Sequence, residues 1–242
     1  MCKITLIRHG QASFGAENYD VLSDIGREQA AAVGDYFKAH DITFDAIMHG
    51  EMSRQTETAQ IMAKAMNYTD DLILDAGANE FDSDYLLKHY LPLLADQSQY
   101  FHQKIHSKEK WFTNGETFEM VFRGIVRLWQ QDKDCPFESW ALFNDRVLQI
   151  LNRVQEKYAS NKKIALVTSG GLISVTVQSI LSAKESSFMD MNLTINNASV
   201  SEILMREFKY DKNDSIINAR LLSFNNITPL VMKNKKYLIT RK

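Results

Sequence analysis

Along the chain, short apolar runs alternate with longer stretches in which apolar residues recur every three or four positions. The runs at residues 3–7, 44–50, 71–76 and 164–167 have strand length and end in polar or glycine residues. Residues 24–40 and 53–66 carry helical periodicity, and Ser23 stands where it can cap the first of these, with Asp24 in the opening turn. This alternation predicts a mostly parallel sheet covered on both faces, an α/β protein built as a three-layer α/β/α sandwich. From about residue 82 to 134 the alternation stops. That segment reads as helical, with many aromatics and no evident strand, and residues 138–158 read as another long amphipathic helix. Residues 199–208 and 215–224 flank a polar loop at 209–214 and predict an antiparallel hairpin. The expected organisation is a single domain over residues 1–242 with a helical cap insertion at about 82–135.

In an open parallel sheet the working edge lies beyond the carboxyl ends of the strands. The first strand runs directly into Arg8-His9-Gly10. An imidazole can attack phosphorus, and a guanidinium beside it can grip two phosphate oxygens. His49 closes the second strand, and Arg54 sits in the first turn of the next helix, where a cation gains nothing from the macrodipole. The loop after the third strand carries Glu80, Asp82 and Asp84, and a carboxylic acid there can protonate a leaving oxygen. The last parallel strand breaks at Thr168-Ser169-Gly170-Gly171, a turn that opens a helix and aims backbone N–H groups at an anion. Ser169 does not read as a hydrolase nucleophile. Val167 takes the first glycine position of G-x-S-x-G, and no histidine follows His106.

Taken in order, "LIRHGQAS", "LSDIGREQA", "SRQTETA", "NEFD" and "ESWALFNDRV" resemble the motifs of the histidine phosphatase superfamily, the phosphoglycerate mutase-like fold, over nearly the whole chain. The resemblance implies that His9 is a nucleophile forming phosphohistidine, that Arg8 and Arg54 hold the phosphoryl oxygens, and that Glu80 is the proton donor. Ser169 and Gly170 would complete the phosphate pocket, with Gln11, Ser13 and His49 as accessory candidates. No metal and no other cofactor is implied. The expected activity is hydrolysis of a small organic phosphate monoester.

The chain departs from the family in two places. The fourth motif is a strand followed by H-G-G, and here Ser169 replaces the histidine. Losing one such donor costs about 2.7–4 kcal/mol, roughly 100- to 1000-fold in rate. A weakened phosphatase, or an impaired phosphate-binding protein of the same fold, therefore stays open. Ser169→His is expected to raise turnover at least several-fold. A separate hypothesis has His49 lean into the pocket and supply the lost imidazole. Gly15 stands where phosphoglycerate mutases carry asparagine, which favours a phosphatase over a mutase-type phosphotransferase.

A net charge of −2 gives no electrostatic reason to expect nucleic acid or an anionic membrane as partner. The basic residues at 233–236 read as a solvated end. No apolar stretch reaches the roughly 18 residues of a membrane span, and the N-terminal run is too short for a signal peptide. Cys2 and Cys135 imply no disulfide framework, so reduced thiols and a cytoplasmic location are expected. His102 and His106 share a helical face but lack a third ligand, and they read as solvated. Oligomeric state is not legible in the sequence.

Overall fold

The structure, a computed structural model, describes residues 1–13, 20–107, 111–158, 161–206 and 218–241. Strand β1 (Cys2–Arg8) is followed by helix α1 (Asp24–Ala39), β2 (Ala46–His49), α2 (Ser53–Met66) and the two-residue β3 (Ile73–Leu74). Helices α3 (Ser83–Gln97), α4 (Gln99–Ile105) and α5 (Gly115–Gln131) come next, and α6 (Trp140–Lys157) leads to β4 (Lys163–Thr168). Then follow α7 (Gly170–Leu181), α8 (Phe188–Thr194), β5 (Val200–Met205), β6 (Ala219–Asn226) and α9 (Thr228–Val231).

The strands form one mixed sheet in the order β3-β2-β4-β1-β5-β6. Strands β1 to β4 are parallel, while β5 runs antiparallel to both β1 and β6. This is the α/β sandwich of a phosphoglycerate mutase-like fold, a central sheet flanked by helices. The central strands β2 and β4 are buried along nearly their whole length, which is why they appear as unbroken apolar runs. On one face Ile7, Ile47, Ala165 and Val167 pack against Ala32, Val33 and Phe37 of α1 and Ala59 and Met62 of α2.

Two compact units share the chain: Met1–Glu80 with Arg146–Lys242, and Phe81–Asp145. The first holds the sheet. The second has a core of its own, in which the Phe81 ring lies 5.2 Å from that of Trp129 and 5.5 Å from that of Phe143. Of the aromatics that mark this segment in sequence, Tyr90, Phe122 and Trp129 are buried packing residues, while Tyr85 and Tyr100 are exposed.

Three features differ from expectation or lie beyond it. The third strand shrinks to two residues because the Asp75 carboxylate accepts from Gly77 N (2.8 Å) and turns residues 76–78 into a short 3-10 helix. The basic end is not simply solvated. Lys233 and Lys235 are exposed and pair with Asp35 and Glu28 of α1, yet Leu230 and Leu238 on either side of them are fully buried. Gln29 Nε2 also donates to Leu238 O (2.7 Å). Gly15, and the 207–217 stretch that includes the loop expected at 209–214, lie outside the described residues. Among the described residues no helix is long and apolar enough to cross a membrane.

Candidate active site

The turn after β1 is held from three directions. His9 N donates to Thr168 O (2.8 Å) at the end of β4, and Ala198 N donates to His9 O (3.1 Å). Gly10 N donates to Thr58 Oγ1 (3.0 Å), whose own proton goes to Arg54 O (2.6 Å) one turn earlier on α2. Helix α1 begins hard against this turn. A Cβ on Gly10 would come within 2.4 Å of Gly26 O, and one on Gly26 within 2.1 Å of Gln11 O, so both positions need glycine for this approach.

The side chain of His9 is buried, with Nδ1 2.7 Å from Gly10 O and Nε2 3.1 Å from Arg54 Nε. A carbonyl can only accept and a guanidinium can only donate. These partners assign the ring proton to Nδ1 and the lone pair to Nε2. Burial first, then the charges of Arg54 and Arg8, hold the imidazole well below the ordinary histidine range, against a smaller raising effect of the Gly10 carbonyl. His9 is therefore neutral at pH 7, the form that carries a nucleophilic lone pair.

Arg54 is itself buried, and its charge is answered by Asp20. Met52, which precedes α2, offers no side-chain cap. Asp20 Oδ2 instead accepts from Ser53 N (2.8 Å), and Oδ1 accepts from Arg54 Nη1 (2.6 Å). One carboxylate thus serves both the positive end of α2 and the guanidinium in its first turn. Arg8 donates from Nη1 to Ile195 O and passes beside Gly170, where an added Cβ would lie 3.6 Å from Arg8 Nε.

Glu80 and Ser169 meet at the start of α7. Glu80 Oε2 accepts from Gly171 N (2.9 Å), one of the amides that a helix leaves without an internal partner. Arg146 Nη1, from the "NDRV" stretch of α6, donates to Gly77 O (3.1 Å) and Asn79 O (2.7 Å) and so pins the loop carrying Glu80. Ser169 is the N-cap residue of α7 but makes no capping bond. Its Oγ accepts from Gln55 Nε2 (2.8 Å), and both residues are fully buried.

The accessory candidates are differently placed. Gln11 serves helix α1, its Oε1 accepting from Ser23 Oγ (2.9 Å) and its N donating to Gln29 Oε1 (2.8 Å). Ser13 pairs through its backbone N with Val21 O (2.8 Å). His49 holds Gly50 O through Nδ1 (2.8 Å) and lies 3.3 Å from Thr56 Oγ1; its hydrogen bonds do not reach His9, Arg54 or Ser169. His102 and His106 are exposed, their rings 4.5 Å apart. Among the described residues no three His, Cys, Asp or Glu side chains gather as metal ligands would. The Cys2 thiol, pushed up to about 11 chiefly by burial, offers no thiolate near neutrality.

Sequence reasoning missed Asp20, Gln55, Thr58 and Arg146. Thr58 and Arg146 fall at motif positions of "SRQTETA" and "ESWALFNDRV", so they carried a signal. Gln55 lies in the first of these stretches at a position the motif leaves open, and Asp20 in a polar loop, so neither was marked.

Two expectations follow from this geometry. Ser169 is fully buried with Gln55 Nε2 on its hydroxyl (2.8 Å), so Ser169→His must displace that amide and should destabilise the fold by about 1–3 kcal/mol through overpacking instead of raising turnover. Chemical denaturation measures this, and an unchanged midpoint with raised turnover would contradict it. The second concerns pH. The unfolded chain protonates His9 near the ordinary value of 6.5 and the folded chain only well below it, so beneath 6.5 the unfolded state binds more protons. This contribution is complete above 6.5 and is lost as pH falls, at up to about 1.4 kcal/mol per pH unit. Denaturation between about pH 5 and 6.5 should therefore show a steeper slope in the parent than in His9→Gln, and parallel curves would count against a buried neutral imidazole.

The sequence profile of the histidine phosphatase superfamily (branch 1) matches residues 4–133 and 123–213. No curated protein matches the chain by sequence. Among solved structures, phosphoserine phosphatase from Entamoeba histolytica in complex with 3-phosphoglyceric acid aligns with a TM-score of 0.62 at 19% identity, over 95% of this chain and all of that one. A phosphoglycerate mutase from Bacillus anthracis str. Sterne gives 0.64 at 19% identity over 97% of each chain. The mycobacterial glucosyl-3-phosphoglycerate phosphatase gives 0.58 at 19% identity over 93% of this chain and 98% of that one. At such identities these likenesses speak for the fold, and the profile, which spans most of the sequence, speaks for descent: the chain belongs to the histidine phosphatase superfamily, branch 1.

Proposed function

We propose that the protein is a phosphomonoesterase acting through a phosphohistidine on a small organic phosphate. The observation that carries this reading is the 3.1 Å contact between Arg54 Nε and the lone-pair nitrogen of His9. An oxyanion that met Nε2 would be in reach of that guanidinium as well, so nucleophile and charge acceptor act on one phosphorus. In the first step Nε2 attacks phosphorus, the ester P–O bond breaks, and the leaving oxygen takes a proton from Glu80. Nδ1 keeps its proton, held on Gly10 O, so the charge that forms on the ring is stabilised there. In the second step water attacks the phosphohistidine, Glu80 takes the proton, the P–N bond breaks, and phosphate leaves neutral His9 behind.

Arg8 and Arg54 are the phosphoryl ligands in this reading. The named neighbours include phosphatases of phosphoserine and of glucosyl-3-phosphoglycerate, which supports a small organic ester as substrate. The two free cysteines suit a reducing, cytoplasmic setting. One observation favours a second reading, a phosphate-binding protein with little turnover: position 169 offers a sealed hydroxyl and no positive charge.

Incubation with a radiolabelled aryl phosphate should give an acid-labile, base-stable phosphoenzyme that is absent in His9→Ala. Arg54→Gln should lower kcat/KM by about 100- to 1000-fold. A parent protein that binds inorganic phosphate but takes no label would decide for the binding-protein reading.

A further inference from the structure

Three successive carbonyls ahead of Glu80 each receive a side-chain donor. Gly77 O and Asn79 O take Arg146, and Ala78 O, between them, takes Thr168 Oγ1 (2.6 Å) and Gln55 Nε2 (3.1 Å). The second proton on Gln55 Nε2 goes to Ser169 Oγ at 2.8 Å. The amide nitrogen of Gln55 therefore joins α2, the loop before Glu80 and the turn before α7 at one point. Its oxygen does the opposite: Gln55 Oε1 is buried and has no hydrogen-bond partner. A hydrocarbon side chain of the same length would fill this space without burying an unsatisfied oxygen. What the carboxamide adds over such a side chain is its two N–H bonds.

The surroundings fit that use. A Cβ at position 50 would lie 1.9 Å from Gln55 Oε1 and 2.6 Å from Asn79 Oδ1, so Gly50 leaves the slot in which the amide lies. Asn79 Oδ1 in turn accepts from Glu51 N (2.7 Å), which fastens the loop to the chain ahead of α2 a second time. Beyond this stitched segment Glu80 reaches Gly171 N.

We propose that Gln55 is a positioning residue for Glu80: by bonding Ala78 O and Ser169 Oγ together, it sets the height of the Glu80 carboxyl over the start of α7. This rests on the reading of Glu80 as proton donor. It also gives Ser169 a role as an acceptor within the lock, distinct from that of a phosphate ligand. A residue that acts through the acid affects esters unequally. An alkyl phosphate needs its leaving oxygen protonated, and p-nitrophenyl phosphate hardly does.

The test is Gln55→Met, which keeps length and removes both donors. For an alkyl phosphate kcat/KM should fall by about tenfold or more, and for p-nitrophenyl phosphate by less than about threefold, with inorganic phosphate affinity nearly unchanged. In a Glu80→Gln background the same substitution should cost nothing further. Gln55→Glu keeps the shape but sets an acceptor against Ala78 O, and it should reproduce the leaving-group pattern. Independently of turnover, amide hydrogen exchange at Gly171 should quicken by about tenfold in Gln55→Met as the Glu80 bond loosens. Equal losses on both esters, losses that add to those of Glu80→Gln, or unchanged Gly171 exchange would overturn the proposal. A parent that forms no phosphoenzyme would sink the hydrolase reading, and the exchange measurement would still decide this one.

Discussion

The arrangement depends on one contact between groups that would repel if both were charged. Arg54 and His9 are buried side by side, and the pair is stable only while the imidazole stays neutral and offers its lone pair to the guanidinium. The Gly10 carbonyl fixes which nitrogen that is. Asp20 answers the charge of Arg54 from the other side, so the buried guanidinium keeps a counter-charge. Remove the carbonyl and the ring can turn over; remove Asp20 and a buried cation faces an imidazole without that counter-charge.

Sheet order explains how segments so distant in sequence arrive together. With β4 between β2 and β1 and all three parallel, the chain leaves each of them at the same edge of the sheet. The backbone then locks that edge, with His9 N on Thr168 O and Ala198 N on His9 O. Gly10 and Gly26 let α1 start at the same place without a clash. Loop 77–80 is tied to the edge by side chains, because β3 is only two residues long and cannot hold it by strand pairing. That division, backbone for the turn at His9 and side chains for the loop before Glu80, is why Gln55 and Arg146 hold more of this edge together than their sequence contexts suggest.

Much of this was legible in the chain. Strong periodicity marked α1 and α2, and residues directly beyond a strand or in the first turn of a helix, such as His9 and Arg54, were bound to share an edge. The parts that were not legible are partnerships. Asp20 belongs to a polar loop with no pattern, and nothing local says that it reaches across to the start of α2. The exchange of histidine for Ser169 was visible as a missing imidazole, but not that Ser169 is buried against the Gln55 carboxamide, which reverses the expected effect of putting the imidazole back. Leu230 and Leu238 were hidden among lysines because isolated apolar residues in a charged segment give no period to read.

The most direct test reads the protons on His9 itself. Nitrogen NMR of protein labelled in its histidines, assigned by comparison with His9→Gln, distinguishes a protonated ring nitrogen from one bearing a lone pair. Between about pH 6 and 7 the His9 signals should be those of a neutral ring with the proton on Nδ1 and Nε2 bare. A doubly protonated ring in that range, or a neutral ring with its proton on Nε2, would contradict the account at its root.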